Sequence, residues 1–248
     1  GATEPFNYLI ENPGEIINIV KNVKGVNTAA ARIEFNGLLS TGENTVSFVG
    51  QGVDPSMEKA VLASSSAASY ALLQSSKNVA RDSDISGMII EAGQPLTSED
   101  TYSIIVGKGL AAGINAKPGD GLILVTNTIS GSINALDVTL KGSFFSAAKA
   151  FDDRFIRLPL PTAQKLLHTE SVQSLIVMLE KTEYTDRVKA ELERIFKEKN
   201  FDLEMRTWAT ITDFYEKTVD LFSRLFLVVK IIITIIVVLS IYNTMNMA

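Results

Sequence analysis

The feature that most constrains this chain is a long apolar run near its C-terminus. The run extends from Leu225 to Tyr242, reads LFLVVKIIITIIVVLSIY and has Lys230 as its only charged residue. A transmembrane helix requires about 20 mostly apolar residues to cross a hydrocarbon core of about 30 Å. Strands rarely reach this length, and a fully buried core helix is the alternative. The sequence therefore predicts a membrane span over about 223–244.

The helix that contains this run is predicted to begin well before it. No Gly or Pro occurs from Thr210 to Ala248, and the Thr210-x-x-Asp213 spacing is similar to a capping box with Asp in place of Glu. A helix from about Ile211 would be roughly 50 Å long, which exceeds the hydrocarbon core by roughly 20 Å. Residues 211–248 are therefore predicted to form a stalk and a transmembrane helix.

Composition excludes several classes of function. The chain has no cysteine, which excludes disulfides, thiolate catalysis and cysteine-ligated zinc. Its 28 acidic and 23 basic residues give a net charge of -5, so a nucleic-acid-binding face is not expected. The N-terminus has neither the basic nor the apolar region of a signal peptide and lacks an initiator Met. Together with the apolar run close to the other end, this predicts a piece of a larger membrane protein.

The rest of the sequence alternates between helical and strand patterns. Apolar periodicity and turn residues predict helices over 13–23, 108–114, 161–168 and 185–199, and strands over 26–35, 44–49, 104–106, 122–126, 136–140, 155–158, 172–179 and 201–208, with a short strand within 84–93. Asn12 is expected to cap the first helix, and Asn36-Gly37 is interpreted as a turn or bulge. Residues 40–43 predict a hairpin loop. The Ala- and Ser-rich stretch 60–76 is either a weak helix or a loop.

No catalytic, cofactor-binding or metal site is predicted. His168 is the only histidine and is expected to have a structural or surface role near a helix end. Gly107-Lys108-Gly109 is similar to a phosphate loop but lacks the Gly-x4-Gly-Lys-Ser/Thr spacing, so a turn before a short helix is expected. The carboxylate pairs Asp152-Asp153 and Glu99-Asp100 are expected to be solvated.

Two residues near the apolar run have open interpretations. A charge inside a membrane is commonly functional, which makes Lys230 a candidate. The alternative is that Lys230 extends its side chain to the outer interface, which its depth in the run allows. Trp208 lies well before the run and is expected to pack in the soluble domain rather than in an aromatic belt.

Several local patterns, in their order and spacing, resemble one family. They are Ile105-Val106-Gly107-Lys108-Gly109-Leu110-Ala111, Pro118-Gly119-Asp120, Val138-Thr139-Leu140-Lys141-Gly142-Ser143-Phe144, Leu158-Pro159-Leu160-Pro161-Thr162-Ala163-Gln164-Lys165-Leu166-Leu167 and Ile241-Tyr242-Asn243-Thr244-Met245-Asn246-Met247-Ala248. The set resembles the ABC-transporter permeases typified by the lipoprotein-releasing proteins LolC and LolE, the macrolide exporter MacB and the division protein FtsX. Gly121 departs from the family, which usually has an apolar residue there.

The resemblance implies an α+β fold with two periplasmic lobes before the stalk. A membrane-proximal, porter-like α/β lobe would contain residues 1–55 and 145–210. A β-rich, sabre-like lobe would be inserted between them over 56–144. Contacts with cargo or partners would be sought in this insert.

The resemblance also implies a function without catalysis by this chain. Such permeases couple ATP hydrolysis by a cytoplasmic ABC ATPase to the extraction of a lipoprotein or another amphipathic cargo, a coupling called mechanotransmission. The implied partners are that ATPase, a second permease protomer, a periplasmic chaperone or adaptor, and membrane lipid. The implied location is the bacterial inner membrane, with most of the chain in the periplasm. The alternatives are a MacB-like exporter with a periplasmic adaptor and an FtsX-like module that regulates a cell-wall hydrolase.

Overall fold

A computed structural model describes residues 9–57, 88–146, 149–207 and 213–246. The elements in chain order are α1 (Pro13–Lys21), β1 (Val26–Ser40), β2 (Thr45–Val53), β3 (Ile89–Gly93), β4 (Ser103–Gly107), α2 (Lys108–Gly113), β5 (Gly121–Asn127), β6 (Ile133–Phe145), α3 (Lys149–Asp152), β7 (Phe155–Pro159), α4 (Leu160–Leu167), β8 (Ser174–Leu179), α5 (Thr185–Glu198) and α6 (Asp213–Asn246). The chain divides into two compact units, Gly1–Leu192 and Glu193–Ala248. The stretch 60–76, interpreted from sequence as a weak helix or a loop, lies outside the described residues.

The eight strands of the first unit form one sheet, and six of them close into a ring. The pairing order is β2, β7, β4, β6, β5, β1 and β8, with β3 also on β6, and β1 pairs back with β2. The pairs β2–β7 and β4–β6 are parallel, and the others are antiparallel. Closure leaves few free edges, which is how small β-rich domains avoid uncontrolled pairing.

β1 is the strand that closes the ring, because it is long enough to change neighbours along one side. Its first half pairs with β8 and its last residues pair with β5, while β2 occupies the other side. Side chains bridge the point of change. The Glu34 N–H donates to Gln173 Oε1 at 2.8 Å, and the Thr126 hydroxyl donates to the Asn36 carbonyl at 2.5 Å. Backbone groups that a strand would otherwise pair are therefore satisfied by side chains.

Alternate side chains of the ring strands pack with residues of α2 and α4, and with Ile114 after α2, in a buried core. Its members are Ile33, Phe35, Leu39, Phe48, Ile104, Val106, Leu110, Ala111, Ile114, Leu122, Leu124, Val138, Leu140, Ile156, Leu158, Ala163, Leu166 and Leu167. Phe35 and Phe48 meet edge to face with ring centroids 5.7 Å apart. The alternation of apolar residues that predicted the strands is thus also the alternation of side chains buried in the core.

Two local predictions near the start of the chain are wrong. Asn36-Gly37 does not form a turn but lies within β1. A Cβ atom on Gly37 would lie 2.4 Å from the Val125 carbonyl oxygen, so glycine permits the approach of β5 here. Asn12 precedes α1 as predicted, but its φ of 51° is left-handed and its side chain makes no capping hydrogen bond. Its carbonyl accepts the Glu15 N–H instead, at 3.0 Å.

The division into lobes at residues 56 and 144 stays a prediction, and strands from both sides of these boundaries pair with one another. β5, from the predicted insert, pairs with β1, and β4 pairs with β7. Strands assigned to different lobes therefore share one sheet in the described part of the chain. The observed architecture is a mixed α/β fold with a single eight-stranded sheet. β1 and β4 each have partners from both predicted regions, and these pairings join the regions in one sheet.

The second unit contains the end of α5, the segment 201–207 and α6. The prediction of a strand is wrong for 201–207, which forms no strand, although its residues alternate between half-buried and exposed. Phe201 packs edge to face on Phe196 at 6.1 Å. Glu204 and Arg206 form an ion pair at 2.8 Å. The segment thus has no strand neighbour among the described residues.

α6 confirms the prediction of a long C-terminal helix, with 34 residues from Asp213 to Asn246. Trp208 and the predicted cap at Thr210 lie outside the described residues. Within the described part of the chain, no helix was found to be both long and apolar enough to cross a membrane. The span predicted over about 223–244 is therefore not confirmed. Lys230 is exposed, and its carbonyl accepts the Thr234 hydroxyl at 2.8 Å.

Candidate functional site

The Gly107-Lys108-Gly109 motif is a packing device. It joins β4 to α2, in agreement with the predicted turn before a short helix. A Cβ atom on Gly107 would lie 2.1 Å from the Asp152 carbonyl oxygen, and one on Gly109 would lie 1.8 Å from Asp153 Oδ1. The two glycines therefore admit the end of α3 against the start of α2. Lys108 forms an ion pair with Glu91.

The carboxylates next to this contact have structural partners. Asp152 is buried and accepts the Ser146 N–H at 2.9 Å, so the prediction that it is solvated is wrong. Asp153 forms an ion pair with Lys149 at 2.7 Å on the exposed side of α3. A buried carboxylate requires such a donor because desolvation without one is costly. The two carboxylates thus have structural partners, Ser146 after β6 and Lys149 on α3.

Asp100 is likewise not a freely solvated carboxylate. It accepts the Thr97 N–H at 2.6 Å and the Thr97 hydroxyl at 2.9 Å, and it forms a largely shielded ion pair with Lys141 of β6. Partial burial acts to raise the pKa of Asp100, but the hydrogen bonds from Lys141 and Thr97, with the charge of Lys141, lower it overall. The arrangement fastens the loop before β4 to β6.

His168 is placed as the sequence predicts, at a helix end. It follows α4 in the left-handed conformation, with φ 55°, and its N–H donates to the Lys165 carbonyl at 3.4 Å. Over the described ranges, no group of three or more His, Asp or Glu residues is arranged to hold a metal ion. His168 therefore closes a helix rather than contributing to a cluster of ligands.

Tyr102 is a feature that sequence reasoning missed. It adopts φ 54°, which is unfavourable for an aromatic residue. Its N–H donates to the buried Thr162 hydroxyl at 3.4 Å, and Lys165 lies 4.8 Å from its ring centroid while bonding to its hydroxyl. Tyr102 thus connects the start of β4 to α4. Its conformation depends on contacts distant in sequence, so no local pattern could have indicated it.

Among the described residues, an exposed surface with several aliphatic side chains lies on the outer side of β2, β1, β5 and β6. We call it the β1 face. Strand register places its side chains in cross-strand rows, namely Thr45, Ser40, Ile123 and Asp137, then Ser47, Leu38, Val125 and Ala135, then Val49 with Asn36 and Asn127 with Ile133. Leu38 is 47% exposed, Ile123 38% and Ile133 78%. Asp137 is the only ionisable residue of these twelve.

The sequence shows the unusual composition of this face but does not show where the face lies. Residues alternate along each strand, and the half that does not enter the core would normally be polar and often charged. On the β1 face that half consists of aliphatic, hydroxyl and amide residues and one carboxylate, Asp137. Only the pairing of β1 with both β2 and β5 shows that these side chains lie side by side.

This fold is found in the extracytoplasmic domains of ABC-type transporters. It is similar to the extracellular domain of the ABC-type transporter YknZ from Gram-positive bacteria, with a TM-score of 0.53, 13% identity and coverage of 75% of this chain and 82% of that one. It is also similar to the periplasmic region of MacB from Actinobacillus actinomycetemcomitans, with a TM-score of 0.55, 12% identity and coverage of 82% and 81%. Neither a family model nor a curated protein matches the sequence.

Proposed function

We propose that this chain is the extracytoplasmic part of an ABC-transporter permease. In this proposal, ATP hydrolysis by a cytoplasmic partner moves the domain, and the movement extracts or exports a lipoprotein or another amphipathic cargo. The observation that carries the proposal is the likeness of the fold, over 82% of the chain, to the periplasmic region of MacB. In this proposal the catalyst is the cytoplasmic partner rather than this chain, whose shielded Asp152 and Asp100 form structural contacts.

The described elements are suited to transmitting force. The closed ring of strands resists deformation because each of its strands has hydrogen-bonded neighbours on both sides. α6 has 34 residues, which corresponds to a rigid rod of about 50 Å. A rigid domain and a rigid rod can convert a displacement at one end into a displacement at the other.

We propose further that α6 attaches this domain to a membrane. Its large apolar side chains from Leu221 to Leu239, where described, are between 49% and 73% exposed. Lipid would cover such a surface at no cost in unsatisfied backbone groups, because those of a helix are bonded within it. The intact protein should therefore stay in the membrane fraction after alkaline carbonate washing, and recovery in the supernatant would contradict this attachment.

A MacB-like exporter that works with a periplasmic adaptor is the second candidate. The likeness to the MacB region favours it within the same class. It differs from the lipoprotein-release proposal in its partner and cargo, because an adaptor should bind the extracytoplasmic domain while lipoprotein should have no effect on ATP turnover.

Purification of the full-length gene product in mild detergent tests the proposed function. We expect an ABC ATPase to co-purify in stoichiometric amount, and we expect its turnover to change when lipoprotein is added. An unchanged turnover together with a bound adaptor would favour the second candidate. A co-purified cell-wall hydrolase without any ATPase would contradict both and would indicate an FtsX-like regulatory module.

A further inference from the structure

We infer that Tyr102 is a conformational switch that lengthens β4 by two residues when α4 releases it. In the structure, Tyr102 turns the chain away from β6 and contacts α4. In the second state, Thr101 and Tyr102 join β4 and pair with Asp137 of β6. This inference goes beyond the proposed function and does not depend on it.

β6 has an open edge immediately before the point where β4 joins it. The two strands are parallel, with Ser103 opposite Thr139, and the Thr139 N–H donates to the Tyr102 carbonyl at 2.8 Å, on the side away from β5. Because the backbone groups of a strand alternate in direction, the N–H and C=O of Asp137 point to that same side. In the part of the chain that the structure describes, these two groups have no hydrogen-bond partner, and Asp137 is exposed.

The strand register identifies the segment that fits this edge. Continuing the parallel pairing by two residues places Thr101 opposite Asp137. The Asp137 N–H would then donate to the Asp100 carbonyl, and the Tyr102 N–H would donate to the Asp137 carbonyl. In the structure the Tyr102 N–H donates instead to the Thr162 hydroxyl of α4, at 3.4 Å. The missing strand neighbour is therefore the segment that directly precedes β4.

The backbone conformation of Tyr102 keeps this segment off the edge. Its φ of 54° is left-handed, whereas a residue in a parallel strand has a φ of about −120°. A bulky L-residue rarely adopts left-handed φ, because its Cβ atom then crowds the following carbonyl. The strand conformation would thus relieve a strain that the structure maintains.

Two side chains of α4 hold Tyr102 in this conformation. Thr162 accepts the Tyr102 N–H, and Lys165 donates to the Tyr102 hydroxyl. Thr162 and Lys165 are three residues apart in one helix, so they lie on the same face of α4. A displacement of α4 would therefore remove both contacts together and would allow Tyr102 to enter the strand.

The ion pair between Asp100 and Lys141 also opposes the lengthened strand. It holds the chain before Tyr102 beside the second half of β6. In the lengthened strand, Asp100 would lie opposite residue 136, which is about 16 Å along β6 from Lys141. The ion pair would therefore break, which favours the observed state as long as α4 stays in place.

The switch links the position of α4 to the length of β4. α4 belongs to the predicted porter-like region, and β4 and β6 belong to the predicted insert. A movement of one region against the other would thus change strand pairing at Asp137. Because the two states differ in the partner of one backbone amide, hydrogen exchange distinguishes them.

Exchange of the Asp137 amide in the intact protein, measured with residue resolution, tests this inference. Tyr102→Val should slow this exchange about tenfold or more, because a β-branched residue disfavours left-handed φ and the amide gains an acceptor in the lengthened strand. Tyr102→Gly is the matched variant. It also lacks the ring and the hydroxyl but tolerates left-handed φ, so the amide should exchange as fast as in the wild type. Equal exchange rates in the two folded variants would overturn the inference.

A second pair of variants leaves Tyr102 unchanged and applies if Tyr102→Val fails to fold. Combining Thr162→Val with Lys165→Met removes both α4 contacts at similar side-chain volume and should also slow exchange at Asp137. Lys21→Met, at the end of α1, is the control and should not alter it. Unchanged exchange at Asp137 in the folded double variant would show that α4 does not control the pairing of β4 and would overturn the inference.

Discussion

At Gly107, the packing of the start of α2 against the end of α3 depends on the absence of a side chain. A Cβ atom there would lie 2.1 Å from the Asp152 carbonyl oxygen, which belongs to backbone that cannot readily move. Gly107→Ala should therefore lower the free energy of unfolding by about 1–3 kcal/mol. Urea unfolding of the purified domain measures the change.

Gly113→Ala is the matched control, because nothing lies within 4 Å of its added Cβ at the end of the same helix. It should be neutral or should stabilise by up to about 1 kcal/mol, since alanine favours a helix more than glycine does. Equal effects of the two variants would show that α3 does not pack closely on Gly107.

Asp100 provides a prediction about pH. Its pKa is lowered from the ordinary value of 3.8 in the folded state, despite partial burial, by hydrogen bonds and the charge of Lys141. A lowered folded pKa stabilises the protein above the unfolded pKa, and this stabilisation is lost as the pH falls below about 3.8 through the folded value. Asp100→Asn should thus be less stable than the wild type at pH 7, and the difference should shrink in strong acid.

Urea unfolding of both proteins from pH 7 to pH 2 measures this difference. Glu43→Gln, in the exposed hairpin loop, is the control and should follow the wild type at every pH. A difference between Asp100→Asn and the wild type that stays constant over the whole range would show that the carboxylate charge is not what stabilises the fold.

At the level of elements, the ring of strands depends on the point where β1 changes neighbours. Gln173 supplies the acceptor for the Glu34 N–H, at 2.8 Å, where neither β8 nor β5 pairs with β1. Gln173→Ala should destabilise the fold by about 1 kcal/mol, because this donor loses its partner. It should also accelerate hydrogen exchange at Glu34.

Gln94→Ala is a control of the same chemistry at an exposed residue that follows β3 and is outside the six ring strands. It should alter neither the stability nor the exchange rate of the Glu34 amide. Unchanged exchange at Glu34 in the Gln173→Ala variant would instead show that this side chain is dispensable for closure.

Most helices and strands could be predicted from local sequence patterns, because their buried side chains recur with the period of the helix or strand itself. Ile16, Ile17 and Val20 predicted α1, and the alternation of Val46 and Phe48 predicted β2. Gly37 and Phe201 show the limit of such reasoning. A glycine that admits a neighbouring strand has the same sequence signature as a turn, and an alternating segment becomes a strand only when another strand pairs with it.

At the level of the whole molecule, the fold class was predictable but the arrangement of the strands was not. The family resemblance indicated periplasmic permease domains, and the fold agrees with that class. Separate lobes were expected because the family resemblance implied them. β1 and β4 each pair with strands from both regions, so the described strands of the two regions belong to one sheet.

The central claim is that ATP hydrolysis by a partner moves this domain. We would measure it by pulsed electron spin resonance on the full-length complex, with spin labels at Glu15→Cys in the first unit and Ser223→Cys on α6. The account predicts that the distribution of distances between the labels differs between the nucleotide-free complex and the complex trapped with ATP. An identical distribution in both states, in a complex that hydrolyses ATP, would contradict it, as would the absence of any ATPase from the purified complex.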